Sequence, residues 1–488
     1  MARKGYKRKF PPLEILSKED VNQIHITTLD ILKETGLTIE HKEALKLLED
    51  NDCTVDYDNM RARFPEGLVE ESLRRCPGSF RVKARDSKDD LIFDGGGNTI
   101  YFTSAPSMNT VDLETWEYKT PTEKEFEDAV TVLDALENHD WFAGHTPYFG
   151  FQGVPEVMKM TARLAKIMKY STKYTGQGFA NNSWDFDARI ARAAECEITI
   201  PAFQVASPLS IGREGIDAGF KNIEYGFPSG IDTGPLFGAT SPASLAGALA
   251  EFNAEIIAGI VLVQLKKPYS RVFVWGFPNV MNMRSGEPES GSIANSLFTV
   301  ALNQVWRNYK IPLRNTASAY SYSKKIDYQN GTERVMPALL SALSGATSIF
   351  FHGGIFCELT HHPVQAILDD DIAGMIGRFV QGIDVNDESL ALELIHEVGP
   401  VPGQFIDKKH TMDWWKKETY IKKCSDGMTY PEWLRSGKKD CIYYAKKRME
   451  KILSEHKVSI PLTDKQEAEI EKIIEDAREF YRKKGDLE

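Results

Sequence analysis

Apolar positions along this chain follow two rhythms. Over residues 1–95 they recur at helical spacing, which gathers them on one face. SKEDVNQIHITTLDILKETG opens on Ser17, carries Asp20 at the capping-box position, and aligns Ile24, Leu29, Ile31 and Leu32 before Gly36 stops it. HKEALKLLEDNDC and FPEGLVEESLRRCPGS predict two more short helices, and DGGGN at 94–98 punctuates the chain. From there the rhythm changes to short β-branched runs alternating with helical stretches. The runs 99–102, 141–144, 172–176, 202–206, 233–238, 271–275, 313–318 and 348–351 predict strands. Helices are predicted over 123–137, 155–168, 216–226, 243–265, 293–309 and 332–343. Such alternation predicts an α/β fold, a TIM (β/α)8 barrel over 96–380. An N-terminal helical extension (1–95) and a charged C-terminal helical extension (381–488) flank it. A doubly wound open sheet is the other arrangement this rhythm admits, but no GxGxxG or Walker motif follows any strand.

Composition narrows the function. The 488 residues carry a net charge of −11, which argues against a general nucleic-acid binder. The longest apolar run, Ala254 to Leu265, contains Glu255 and Gln264 and is too short to span a bilayer. The basic start is followed by no apolar core, so no signal peptide is expected. Cys53, Cys76, Cys196, Cys357, Cys424 and Cys441 lack metal-ligand spacing and read as reduced thiols. A cytoplasmic enzyme is the expectation.

Barrel enzymes place their chemistry at the C-terminal ends of the strands. Those ends offer no paired Asp/Glu set for acid–base work, no HExxH and no lysine placed for a Schiff base. They offer rings instead: Tyr101, Phe102, Phe179, Phe277, Tyr320 and Tyr322, with His145, Asn181 and His352 as neutral hydrogen-bonding partners. Ring faces attract a quaternary ammonium by about 0.5–2 kcal/mol each; the competing reading is that the same rings simply pack the core. His145, His352, Asn181, Arg213 or Arg284 are candidates for holding a carboxylate. His361 and His362 read as a surface loop, and the acids of LDDDIAG (368–374) as helix N-terminal charge.

The stretch GPVPGQFIDKKHTMDWWKKETY followed by YPEWLRSG (Gly399 to Gly437), together with ALLSALSGATSIFFHGG and LDDDIAGMIGRFVQGIDVNDESLALELIHEVG, resembles the trimethylamine methyltransferase family and its non-pyrrolysine relatives. The resemblance implies a TIM barrel that moves a methyl group from an amine nitrogen to the cobalt of a corrinoid carried on a separate protein. Members acting on trimethylamine have pyrrolysine in a barrel loop near YSYSKKIDYQNG (Tyr320–Gly331); this chain has only standard residues there. The resemblance therefore implies a quaternary amine of the glycine betaine, proline betaine or carnitine type. It further implies a cognate corrinoid protein as partner, no tightly bound metal of the chain's own, no catalytic side chain beyond the partner's cobalt, and a homo-oligomer. A non-catalytic betaine-binding or corrinoid-scaffold subunit is the alternative.

Overall fold

The computed structural model describes residues 4–178, 180–315 and 319–487. Eight strand segments form its centre: β1 (Thr99–Ser104), β2 (141–142), β3 (Thr175–Gly176), β4 (Ile198–Pro201), β5 (Ser229–Thr233), β6 (Val272–Gly276), β7 (Arg314–Asn315) and β8 (Ser348–His352). Each pairs in parallel with the next in the chain, and β8 pairs in parallel with β1. Three of these joins, β1–β2, β2–β3 and β6–β7, are single bridges (Thr103 with Trp141, Phe142 with Thr175, Val274 with Leu313). A helix follows every strand: α1 (Glu123–Ala135), α2 (Lys159–Tyr170), α3 (Trp184–Ala193), α4 (Arg213–Tyr225), α5 (Leu245–Lys266), α6 (Ile293–Tyr309), α7 (Tyr328–Ser344) and α8 (Pro363–Val380).

The strands are buried along their length, as parallel strands covered on both faces must be; every residue of β5, β6 and β8 is buried. The fourth and fifth strands lie about four residues before the runs 202–206 and 233–238 that predicted them. Those later runs are apolar because they cover the strand ends, where Val205–Ala206 and Leu236–Phe237 make short secondary pairings. Helix α5 is 22 residues long and apolar enough to cross a membrane by length and composition, but 89% of that window is buried inside the protein. It is a core helix, and its bounds agree with the predicted helix over 243–265.

The N-terminal segment is not helical alone. Helices Lys18–Asp30, Lys42–Glu49 and Glu66–Arg75 alternate with short strands, and Ser79–Val82 pairs antiparallel with Leu91–Asp94. This hairpin closes the N-terminal end of the strand circuit. Its Phe93 stacks on Phe273 (5.3 Å, 17°) and meets Tyr101, Trp141 and Tyr174 edge-on. All four lie in the N-terminal half of their strands or just before it, so the floor is sealed by rings and the opposite end is the mouth.

Candidate active site

Side chains alternate across a strand, so β1 turns Tyr101 and Thr103 inward and Phe102 outward. Tyr101 stays near the floor, its hydroxyl sharing hydrogen bonds with the backbone of Ile92 at 3.2 Å. Phe102 packs between strand and helices against Tyr6 and Phe351. The same alternation would bring His352 inward after Ser348 and Phe350. A register break between Phe350 and His352 turns it outward instead, against Phe102 and His139. Phe102 and His352 are therefore removed from the substrate-facing set.

Other expectations are also revised. His361 is fully buried rather than on a surface loop, and His362 caps α8 by accepting from the Val364 amide. Asp369 and Asp370 are buried counterions of Arg334 and Arg448, and Asp371 accepts from the Lys423 and Cys424 amides. None of these acids sits at a helix start. Arg213 and Arg284 are exposed on the surface.

Toward the mouth the structure gathers Phe277, Tyr320 and Phe350. The Phe350 ring lies 6.0 Å from Phe277 and 6.2 Å from Tyr320, nearly parallel to the latter. Tyr320 donates its hydroxyl to Glu358 Oε1 at 3.2 Å. Burial pushes the Glu358 carboxyl up to about 7, with the Tyr320 hydrogen bond opposing it. Tyr322 sits apart, edge-on to Phe356 at 5.0 Å, with the Lys324 ammonium 3.7 Å above its ring. Asn181 is exposed on the loop after β3, where its backbone carbonyl accepts from Tyr481. Phe179 lies outside the described residues. His145 stacks flat on Phe149 (4.2 Å, 2°), and burial together with the charges of Arg163 and Arg314 lowers its pKa to about 3. Its imidazole lies across Gly178, where a Cβ would come within 1.6 Å of Nε2, so any side chain there would have to displace the ring.

The residue that sequence reasoning missed is Arg314. It lies on β7 among the rings, its guanidinium carbon 3.3 Å from the Trp275 ring centre, 4.5 Å from Phe350 and 5.2 Å from Trp141. Part of the aromatic cage thus already holds a cation, and that cation belongs to the protein. Its Nε and Nη1 are buried with no hydrogen-bond partner among the described residues. Asp232, facing Trp275 across β5 and β6, lies within reach of both the Trp275 side chain and the Arg314 charge, each of which favours its ionised form. Burial pushes the Asp232 carboxyl up to about 7, with the charge of Arg314 opposing it. Burial also presses the guanidinium pKa down, but Arg does not deprotonate in proteins. The expectation that no acid pair faces the interior is corrected by Asp232 and Glu358, the charge of Glu358 adding to the upward shift of Asp232. A charged residue inside an apolar run was the available signal. The two unpartnered donors of Arg314 make a polar station of the kind native interiors avoid unless something else fills it.

Among the described residues, no three His, Cys, Asp or Glu side chains come together as a metal-binding group. Comparison with known proteins bears on the fold and the family. Two solved structures of monomethylamine methyltransferase, one from Methanosarcina barkeri and one a hydroxylamine complex, share the fold at TM-scores of 0.52 and 0.53. Sequence identity to them is 12% and 11%, with 89% of this chain and 94% of each of theirs covered. The trimethylamine methyltransferase of Methanosarcina barkeri (strain Fusaro / DSM 804) is 27% identical over 484 residues, 96% of both chains. The glycine betaine methyltransferase of Desulfitobacterium hafniense (strain Y51) is 28% identical over 437 residues, 87% of this chain and 89% of that one. Residues 1–480 match the family described as trimethylamine methyltransferase (MTTB), and the chain, with ordinary residues throughout, belongs to that family.

Proposed function

We propose that this protein is a methyltransferase that takes an N-methyl group from a quaternary-ammonium zwitterion of the betaine type and delivers it to the corrinoid of a separate protein. The strand circuit is read as a (β/α)8 barrel whose mouth receives both. The observation that carries this reading is the orphaned guanidinium of Arg314 beside a ring-lined mouth. Two buried N–H groups without acceptors call for an anion, and the adjacent rings Phe277, Tyr320 and Phe350 suit a soft cation. A betaine carries both charges a few ångströms apart; trimethylamine has no carboxylate.

The side chains then have distinct tasks. Arg314 holds the carboxylate and sets which methyl points outward. The rings orient the ammonium without hydrogen bonds, which a quaternary nitrogen cannot make. Asp232 and Glu358, raised by burial to about 7, are neutral below that pH and do not compete for either end of the zwitterion. An ionised acid against the ammonium would hold the ground state more tightly than the transition state, in which positive charge is leaving nitrogen. No proton has to be delivered, because the departing amine becomes neutral as its C–N bond breaks. The neutral His145 fits that requirement. The corrinoid supplies the reduced cobalt that accepts the methyl; this chain's part is positioning and electrostatics.

The test is to mix the purified chain with a reduced corrinoid protein of this family and follow corrinoid methylation by visible absorbance. Glycine betaine, proline betaine and carnitine are compared with trimethylamine. Methylation with at least one betaine and none with trimethylamine is expected. A corrinoid spectrum that stays unchanged with every betaine, while the betaine binds, would make the chain a binding subunit and overturn the reading.

A further inference from the structure

Two loops run antiparallel at the mouth, one after β7 and one after β8. Tyr320 donates its hydroxyl to Glu358, the Ser321 carbonyl accepts from the Cys357 amide at 2.8 Å, and Tyr322 meets Phe356 edge-on. The pairs alternate along one ladder, so the Tyr322–Phe356 pair lies two residues, about 7 Å of chain, from the Tyr320–Glu358 pair. Tyr320 is buried, Tyr322 half-buried and Lys324 exposed, so these steps lead from the chamber out to solvent.

The outer pair already holds a cation. The Lys324 ammonium lies 3.7 Å from the Tyr322 ring centre and 4.3 Å from that of Phe356, and it donates to the Tyr322 carbonyl at 2.8 Å. The rings do not depend on it for their placement. The Tyr322 amide and the Ser321 hydroxyl both donate to the Glu333 carboxylate of α7, at 2.7 and 2.8 Å, and the Phe356 amide donates to the Thr360 hydroxyl at 3.1 Å. Burial, and after it the charge of Glu287, raises the pKa of the Tyr322 phenol, so an acid on the loop after β6 looks onto the same spot. Fixed rings, a nearby acid and an exposed resident ammonium make a cation site whose occupant can leave.

We propose that Tyr322 and Phe356 form an outer station for a quaternary ammonium, which displaces the Lys324 ammonium from the rings before moving inward to Phe277, Tyr320 and Phe350. The exchange favours the incoming cation. A lysine ammonium carries three N–H donors and is strongly hydrated, so it loses little on returning to water. A quaternary nitrogen has no N–H, and a ring face suits it better than water suits it. Two half-buried rings hold such a cation weakly, and a guest that must move on is best held weakly. That the natural guest is a betaine rests on the reading above; the exchange itself needs neither a carboxylate nor a corrinoid.

Acetylation of Lys324 on the full chain by an N-hydroxysuccinimide ester tests it. Peptide mass spectrometry reads the rate, with the neighbouring exposed Lys325 as internal reference. Tetramethylammonium chloride at about 100 mM should raise the Lys324 to Lys325 rate ratio about threefold or more over sodium chloride at the same concentration. Tyr322→Leu and Phe356→Leu keep apolar bulk but remove a ring; each should raise the ratio without added ligand and abolish its response to tetramethylammonium. Phe277→Ala, on the inner rings, should keep the response. A ratio that both salts move equally, a response that survives both ring substitutions, or one that vanishes in Phe277→Ala overturns the inference. Corrinoid methylation from a betaine without this response refutes the outer station and leaves the proposed function standing; the response without methylation does the reverse.

Discussion

Replacing Arg314 with Met separates the two halves of the proposed recognition. Methionine keeps an unbranched stem against Trp275 and Phe350 but removes the charge and its donors. Each hydrogen bond from a guanidinium to a carboxylate contributes about 1.5–3 kcal/mol, so losing two in a buried setting removes about 3–5 kcal/mol of substrate binding. That corresponds to a fall of roughly 100- to 5,000-fold in kcat/KM for glycine betaine. A cation without a carboxylate should behave differently. Tetramethylammonium makes no use of Arg314, and with the resident cation gone from the ring faces it should be handled at least as well by the variant. The assay is initial rates of corrinoid methylation across a concentration series of each compound. Thermal unfolding serves as the control, and Tm should change by only a few degrees, because relief of the buried, unbonded Nε and Nη1 offsets the lost ring contacts and the lost attraction to Asp232. If R314M keeps glycine betaine turnover within about threefold of the parent, or loses both compounds equally, the assignment of Arg314 to the carboxylate is wrong.

Three other expectations follow from the same geometry. The Asp232 carboxyl, ordinarily at 3.8, is raised to about 7 in the folded protein, so folding is opposed increasingly as pH rises from about 4 to about 7 and by a constant amount above. Asp232→Asn should therefore raise Tm at pH 8, leave it unchanged at pH 4, and flatten a rise of betaine KM near pH 7; a Tm difference independent of pH would contradict the assignment. Phe277→Ala should raise betaine KM about tenfold through the loss of one ring face, with Tm falling by only a few degrees, since Phe277 is only half buried; unchanged kinetics would remove it from the site. Gly178→Ala puts a methyl on His145 and should cost about 1–3 kcal/mol in denaturant unfolding. Adding His145→Ala should recover most of that loss, and additivity of the two changes would show that the clash is not the cause.

The order of strands and helices was legible because parallel strands covered on both faces are short and uniformly apolar, a pattern that survives in sequence. Their limits were less so. ITIP at 198–201 follows Glu195 and Glu197 and ends on proline, so the strand signal fell on the apolar run 202–206 after it. Of the proposed site, Phe277 and Tyr320 were legible as aromatic residues just beyond a strand, a position that faces the mouth. His352 was misplaced because one residue of register break reverses a face, and nothing local announces the break. Arg314 escaped for a different reason. A charge within an apolar run reads as an edge or an error until the circuit curls round and surrounds it with Trp141, Trp275 and Phe350.

The hairpin that seals the floor imposes an order of events. On the proposed reading, guest and acceptor protein share the one end left open, so the guest must enter before the acceptor docks and the demethylated amine must wait for it to leave. An excess of the acceptor protein should then inhibit its own supply.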